Sequence, residues 1–401
     1  MSDFAIRTLT ADEHRASSAL FRGTIHLRVA DDVDWERSRH AFQEGRALGA
    51  FDPELIGVTR SFDAELTVPG GAKLPVAAVT AVGVRADRTR RGVMRALLTT
   101  QLEDFAARGV TFASLLASEA SIYGRFGYGL TSQCRTYTVD RHRARLRDTA
   151  PASGEITLYD LDTSLEKLPE IYARLALTRP GTMSRPDPLW GHYAASARRQ
   201  TEAIRTAVHR GPDGDDGYAT FYVPHSGEHH GRRTLHVNDM FWTTPAAFAG
   251  LWRFLLGIDL VDEIKAEERP LDEPIEHILA DHRRVSSDGV GDEHWLRLVD
   301  VPTALGAREY GRGEPVVIEV TDPILPANSG TYRVTEDGVT RTGEPAALRF
   351  DPDTLAMVYL GTWRPSALAT AGRIEARDPA AAAAVDQLFA TPEAAWFGTY
   401  F

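Results

Sequence analysis

A strand, a helix and a second strand are written into residues 74–117, and this unit most narrows what the chain can become. Residues 74–84 are a nearly continuous apolar run of valine and alanine, opened by Leu74 and Pro75. Both faces of such a strand are hydrophobic, so it belongs inside a sheet covered on both sides. Apolar residues then recur at Met94, Leu97, Leu98, Leu102 and Phe105, the stripe of one helix, before Gly109 supplies a C-terminal stop. Residues 110–117 return as a second buried strand. Two buried strands joined through one helix run parallel.

With 401 residues the chain exceeds what one core supports, and two or three domains are expected. Turn formers replace periodicity at residues 148–154, which places a first boundary near residue 150. The second unit, residues 151–290, repeats the order of the first with a helix over 165–177, strands over 203–208, 217–223 and 234–242, and a helix over 245–258. The third, residues 291–401, opens with the alternating segment 294–300. It continues as an α+β pattern with a prolyl turn at Asp322-Pro323 that carries no chemistry of its own.

Composition excludes several classes. A net charge of -11 argues against a broad nucleic-acid surface and suits cationic ligands. No apolar stretch is long enough to span a bilayer, the start of the chain lacks signal-peptide character, and the single Cys134 fits a reducing compartment, so the cytoplasm is the expected location. His229-His230 has no carboxylate or thiol at ligand spacing, and no metal is expected.

Two features carry chemistry. Between the first buried strand and its helix stands Arg90-Arg91-Gly92, where helix-opening amides, the positive end of the dipole and two cations offer an anion site. It lacks the Lys-Ser/Thr pair of a Walker loop and the glycines of a dinucleotide fingerprint, which leaves the pyrophosphate of another cofactor, or a solvated helix start. The chain also ends on four aromatic rings in its last six positions, Trp396 to Phe401. An apolar terminus asks to be buried and carries its α-carboxylate inward, where desolvation makes it a stronger base. A terminal turn docked by its rings is the other reading.

The strand ending in Val82-Gly83-Val84, the Arg90-Arg91-Gly92 turn, its helix, the next strand and then Tyr123-Gly124-Arg125-Phe126-Gly127-Tyr128 resemble the core of a GNAT acetyltransferase. Thr89 and Met94 depart from that superfamily's usual glycine-rich turn. Arg-Arg-Gly followed by bulky apolar residues and an ending of Gly-Thr-aromatic-Phe is similar to the Eis (enhanced intracellular survival) acetyltransferases, over essentially the whole chain. The resemblance implies a mixed α/β chain of two tandem GNAT-like domains and a sterol-carrier-protein-like α+β domain. It implies acetyl-CoA as co-substrate, with Val82, Gly83 and Val84 on pantetheine, Arg90, Arg91, Gly92, Val93, Met94 and Arg95 around the diphosphate, and Ser118 and Glu119 bordering it. Tyr123 matches the family's catalytic tyrosine and Phe401 its terminal carboxylate; ordinary packing beside Phe126 and Tyr128 is the alternative for Tyr123.

The implied acceptors are small polyamines, above all aminoglycosides, or lysine side chains, and the implied assembly is a homo-oligomer, a hexamer. Phe21, His26, Trp35 and Tyr400, with the acids Asp31, Asp32, Asp34 and Glu36, are candidates for holding the acceptor. The acids equally suit a helix start. A non-catalytic protein that binds an apolar ligand in its third domain is the rival from another class.

Overall fold

A computed structural model describes residues 4–151, 154–200, 202–224 and 231–401; His229 and His230 lie outside them. The first unit runs β1 (Ala5–Thr8), α1 (His14–Thr24), α2 (Asp32–Ser38), β2 (Ala47–Asp52), β3 (Glu54–Thr67), β4 (Lys73–Val84), α3 (Val93–Ala107), β5 (Phe112–Leu115), α4 (Ala120–Tyr123) and β6 (Gly129–Asp140). The second runs β7 (Glu155–Tyr159), α5 (Leu161–Leu175), α6 (Asp187–Ala197), β8 (Arg205–Gly211), β9 (Gly214–Tyr222), β10 (Thr234–Trp242), α7 (Pro245–Gly257), β11 (Glu263–Pro270) and β12 (Val285–Leu298). All twelve strands join one sheet in the order β1-β2-β3-β4-β5-β12-β6-β11-β10-β9-β8-β7.

The apolar run of β4 has the two-sided burial its sequence requires. Val76 and Ala78 share a core with Phe62, Leu66 and Phe112, while Ala77 and Val79 face Leu98, Leu102 and Phe105 of α3. Leu97, Leu98 and Leu102 are fully buried. Each such side chain contributes about 1.5–3 kcal/mol when removed from water.

β4 and β5 run parallel, with Val76, Ala77 and Ala78 opposite Phe112, Ala113 and Ser114. β4 then bulges: Val58 of β3 faces Gly83 but Arg60 faces Thr80, so Ala81 and Val82 together oppose Thr59. Ala81 carries the strain of the bulge at φ +53°. The second unit repeats the device, with β10 and β11 parallel over residues 234–237 and 263–266 and a register shift on β10 between Val237 and Asp239.

β12 crosses residue 290 and enters the first unit's sheet, pairing with β6 and then, from Trp295 to Leu298, with β5. The alternating segment at 294–298, read from sequence as the opening of the third unit, is therefore the end of this strand. The third unit proper has its own sheet, β15-β14-β13-β16-β17, from β13 (Val316–Val320), β14 (Gly330–Thr335), β15 (Gly338–Thr342), β16 (Leu348–Phe350) and β17 (Glu375–Ala376).

The two sheets are locked by a buried ion pair. Arg297 of β12 donates to Asp322 Oδ2 at 2.5 Å, and both side chains are shielded from solvent. Asp322 also accepts the backbone N–H of Ile324 and Leu325 and the Asn328 amide, so the Asp322-Pro323 turn has a structural task that its sequence did not disclose. Removing one member of such a pair leaves an uncompensated charge. Asp322→Ala is expected to destabilise the third unit by about 3–5 kcal/mol, measured as a lowered urea midpoint; an unshifted midpoint rejects this role.

Candidate active site

The C-terminal peptide folds back across both preceding units. Trp396 is buried in the opening between β10 and β11: it packs on Phe241 with ring centroids 4.6 Å apart, and its indole N–H donates to the carbonyl of Glu268 at 2.8 Å. Phe397 stacks on His294 of β12 at 4.0 Å with ring planes 5° apart. The backbone N–H groups of Phe397 and Gly398 donate to Glu293 at 3.0 and 2.9 Å. Gly398 takes φ +60°, and its carbonyl accepts from Arg185, which is paired with Asp239. Phe401 then lies edge-on to Phe62 and Phe397, at 5.2 and 5.9 Å.

This course brings Phe401 to a cavity of about 330 Å³ whose wall it shares with Tyr123. Thr80, Ala81 and Val82, at the β4 bulge, form one side, and Leu115, Leu116, Ala117 and Ser118, at and beyond the end of β5, form the facing side. The cavity is thus the space opened where the two parallel strands part. Phe21 of α1 and Ile25 just past its end close it, and Tyr400, largely exposed, stands at its edge.

Tyr123 ends the short helix α4, buried and edge-on to Tyr128 at 6.1 Å. Burial raises its pKa above the ordinary phenol range, with the Ser118 hydroxyl working the other way and the Glu119 charge adding to the rise. Among the described residues, the acids lining the cavity are Glu268, Asp292 and Glu293, which β11 and β12 bring from the second unit's sequence. Glu268 holds φ +53°, and burial raises its pKa. Burial also pushes Glu293 up to about 7, against the pull of the Gly398 and Phe397 N–H groups and the Ser132 hydroxyl.

The anion turn stands at the opening of α3. Arg90 and Gly92 are both left-handed, at φ +62° and +84°, and the first turn of α3 has no side-chain cap. Its amides are therefore available to an anion. Arg91 lies 3.9 Å from Asp52, and Arg95 is exposed on the same turn. The remaining residues of the motif have packing duties. Gly83 lets α1 approach, since a Cβ there stands 2.8 Å from Thr24 Oγ1, and Val84 and Val93 pack with Ala50, Ile56 and Leu97. Met94 packs against the core that holds Leu98 and Tyr123. Glu119 is exposed just before α4, its carbonyl accepting from Ile122.

His26 and Trp35 are not among the residues that line the cavity. His26 follows α1 with φ +61°, and Trp35 sits on α2 against Phe42 at 5.9 Å. The neighbouring acids have partners elsewhere: Asp31 caps α2 through the Asp34 N–H, Asp32 pairs with Arg15, Asp34 with Arg28 and Glu36 with Arg39. Sequence reasoning passed over Glu268, Asp292, Glu293 and Ala81. None carries a local motif, because their meeting depends on the register of β12 and on a bulge at an alanine.

Comparison with known proteins agrees with this architecture. Residues 5–131 and 181–298 each match the acetyltransferase (GNAT) domain family, and residues 301–398 match the sterol carrier protein domain family. An uncharacterized N-acetyltransferase from Streptomyces avermitilis is 37% identical over 88% of both chains. N-acetyltransferase Eis of Mycobacterium tuberculosis is 33% identical over 84% of both. The crystal structure of Eis1 from Mycobacterium abscessus superposes with a TM-score of 0.91 at 39% identity, covering 99% of this chain and 100% of that one. A GCN5-related N-acetyltransferase from Anabaena variabilis, 19% identical, shares the fold over 99% of this chain with a TM-score of 0.83. With two GNAT domains, a sterol-carrier-like domain and a C-terminal peptide returning to the first of them, this chain belongs to the Eis family of N-acetyltransferases.

Proposed function

We propose that this N-acetyltransferase moves the acetyl group of acetyl-CoA onto amines of a small polycation, aminoglycosides being the acceptor class, with the Phe401 α-carboxylate as general base and Tyr123 as general acid. The observation that carries this reading is the single cavity walled by Tyr123, by the last residue of the chain and by three acids. Carboxylates hold a cationic acceptor, while one amine must lose its proton before it can attack. The carboxylate takes that proton. The amine nitrogen then bonds to the thioester carbon, the carbon–sulfur bond breaks, and the departing sulfur takes the phenolic proton. Burial keeps Tyr123 protonated until then.

The residues present fit acetyl-CoA. Uncapped amides at α3 with Arg90, Arg91 and Arg95 suit its diphosphate, and the strand edge around Val82 suits the pantetheine arm. Main-chain groups freed by the Ala81 bulge can polarise the thioester carbonyl. The hexamer implied by the family and the cytoplasmic location expected from the cysteine usage and the start of the chain belong to the same reading; among the described residues no helix is long and apolar enough to cross a membrane. The carrier alternative finds little room in the third unit, whose interior is filled by Leu305, Ile318, Tyr332, Leu348, Phe350 and Tyr359. Lysine side chains of proteins fit the same groups, and a panel of amines and peptides scored by thiol release separates the acceptors.

Deleting Phe401, or appending residues after it, is expected to abolish thiol release with kanamycin while acetyl-CoA binding persists; unchanged turnover removes the proposed base. Tyr123→Phe keeps the ring and loses the donor, so kcat is expected to fall by about 10²–10⁴-fold with acetyl-CoA affinity held, and a full rate in stopped assays argues against the acid role. The second unit repeats the bulge, but there Trp396 bonds to the Glu268 carbonyl beside a cavity of about 540 Å³, and α7 starts at Thr244-Pro245 with the Thr244 hydroxyl already capping the Ala247 N–H. Calorimetric titration is therefore expected to give one acetyl-CoA per chain, and two equivalent sites contradict this assignment.

A further inference from the structure

We infer that Glu293 and His294, neighbours on β12, form a clasp that sets where the terminal residue lies, and that Glu293 is a positioning residue for acetyl transfer. The inference rests on the reading of Phe401 as the base.

The tail around Phe397 has no regular secondary structure, so its backbone groups find no partners in a ladder or helix of their own. Phe397 is fully buried, and buried N–H groups must be satisfied. Glu293 satisfies two in succession: Oε2 accepts from Phe397, Oε1 accepts from Gly398, and Oε2 also accepts from the Ser132 hydroxyl at 2.8 Å. All three partners donate, so each of these bonds favours the ionised carboxylate against the burial that opposes it. The His294 ring covers the face of Phe397, and its Nδ1 lies 3.3 Å from the Thr131 hydroxyl, which fixes the imidazole.

Two adjacent residues of one strand thus grip main chain and side chain of the same tail segment. Beyond the grip, Thr399 Oγ1 meets Tyr172 Oη at 3.0 Å and Arg185 Nε at 3.2 Å. Phe401 is the next residue but one, which leaves a reach of at most about 7 Å beyond Thr399. The terminal carboxylate therefore inherits its position from β12, a strand whose far end is tied to the third unit by Arg297. A misplacement of the base by about 1 Å costs on the order of 10²-fold in rate.

Glu293 also lines the cavity, so a direct contact with the acceptor is the competing role. A cycle of Glu293→Ala, Glu293→Gln, the Phe401 deletion and the Glu293→Ala deletion double variant separates them, using the full-length protein otherwise. Steady-state thiol release with kanamycin, acetyl-CoA titration and the rate at which carboxypeptidase Y liberates Phe401 are measured, with thermal melting to verify folding.

The expected result for Glu293→Ala is a kcat lowered about 10–100-fold, a KM for acetyl-CoA within about twofold of the parent, and clearly faster liberation of Phe401. Glu293→Gln, which keeps one acceptor oxygen, falls between. Adding Glu293→Ala to the Phe401 deletion is expected to lower the residual rate no further than the deletion alone, because both changes disable one group. Losses that multiply, or a protease rate unmoved in both folded variants, overturn the clasp. Normal turnover of Glu293→Ala beside an inactive deletion overturns the clasp alone, whereas a fully active Phe401 deletion overturns the base on which it rests.

Discussion

The parting of two parallel strands after a bulge is the constraint on which the rest of this molecule depends. Parallel pairing needs continuous registers, and an extra residue in β4 at Ala81 and Val82 breaks the match with β3 and turns the strand away from β5. The gap exposes unpaired backbone in the middle of a sheet, which has to be satisfied by something. The chain makes the same gap twice and resolves it in two ways. Between β10 and β11 the gap receives Trp396, whose indole bonds to the Glu268 carbonyl. Between β4 and β5 it stays open as a cavity, with an uncapped helix start and arginines on the same unit.

The tail that enters the second gap also walls the cavity at the first, so the packing of one is tied to the shape of the other. Trp396, Phe397 and Phe401 are packed against rings of the two preceding units, Phe241 and His294 of the second and Phe62 of the first, so the chain end is placed by ring packing rather than by a local loop. Burial of several aromatic rings outweighs the conformational freedom that a chain end otherwise keeps. The acids follow from the same topology. β12 inserts between β5 and β6 and carries Asp292 and Glu293 to the cavity, while β11 carries Glu268, so a pocket in the first unit is made acidic by residues of the second unit's sequence.

Much of this was legible locally. The run at 74–84 is β4, the stripe from Met94 to Phe105 is α3, and residues 234–242 form β10, because each pattern reports burial within one element. The Arg90-Arg91-Gly92 turn announced a helix opening, and the left-handed Gly92 supplies it. The aromatic end announced its own burial. What could not be read depends on distance along the chain. The strand at 294–298 alternates properly, yet nothing in it says that its partners are Leu115 to Phe112 rather than strands of the third unit. Ala81 takes a conformation usually left to glycine, so no residue marked the bulge. The acids around Asp31, open in sequence to either an acceptor site or a helix start, cap α2 or pair with nearby arginines such as Arg28 and Arg39.

The third unit gains its meaning from this geometry. Its interior is filled, its sheet is separate, and its firmest polar link to the rest is the pair formed by Arg297 and Asp322 at the end of β12. A charge pair with no solvent access costs more in desolvation than it returns unless every lone pair is used, and here Asp322 also accepts two backbone N–H groups and an amide. Such a site tolerates one arrangement. It therefore fixes the third unit against β12, and from that unit the chain departs toward Trp396 and Phe401. The same strand holds Glu293 and His294, four and three residues before Arg297, against Phe397. One strand thus meets both the third unit, through Arg297, and the tail that leaves that unit, through Glu293 and His294.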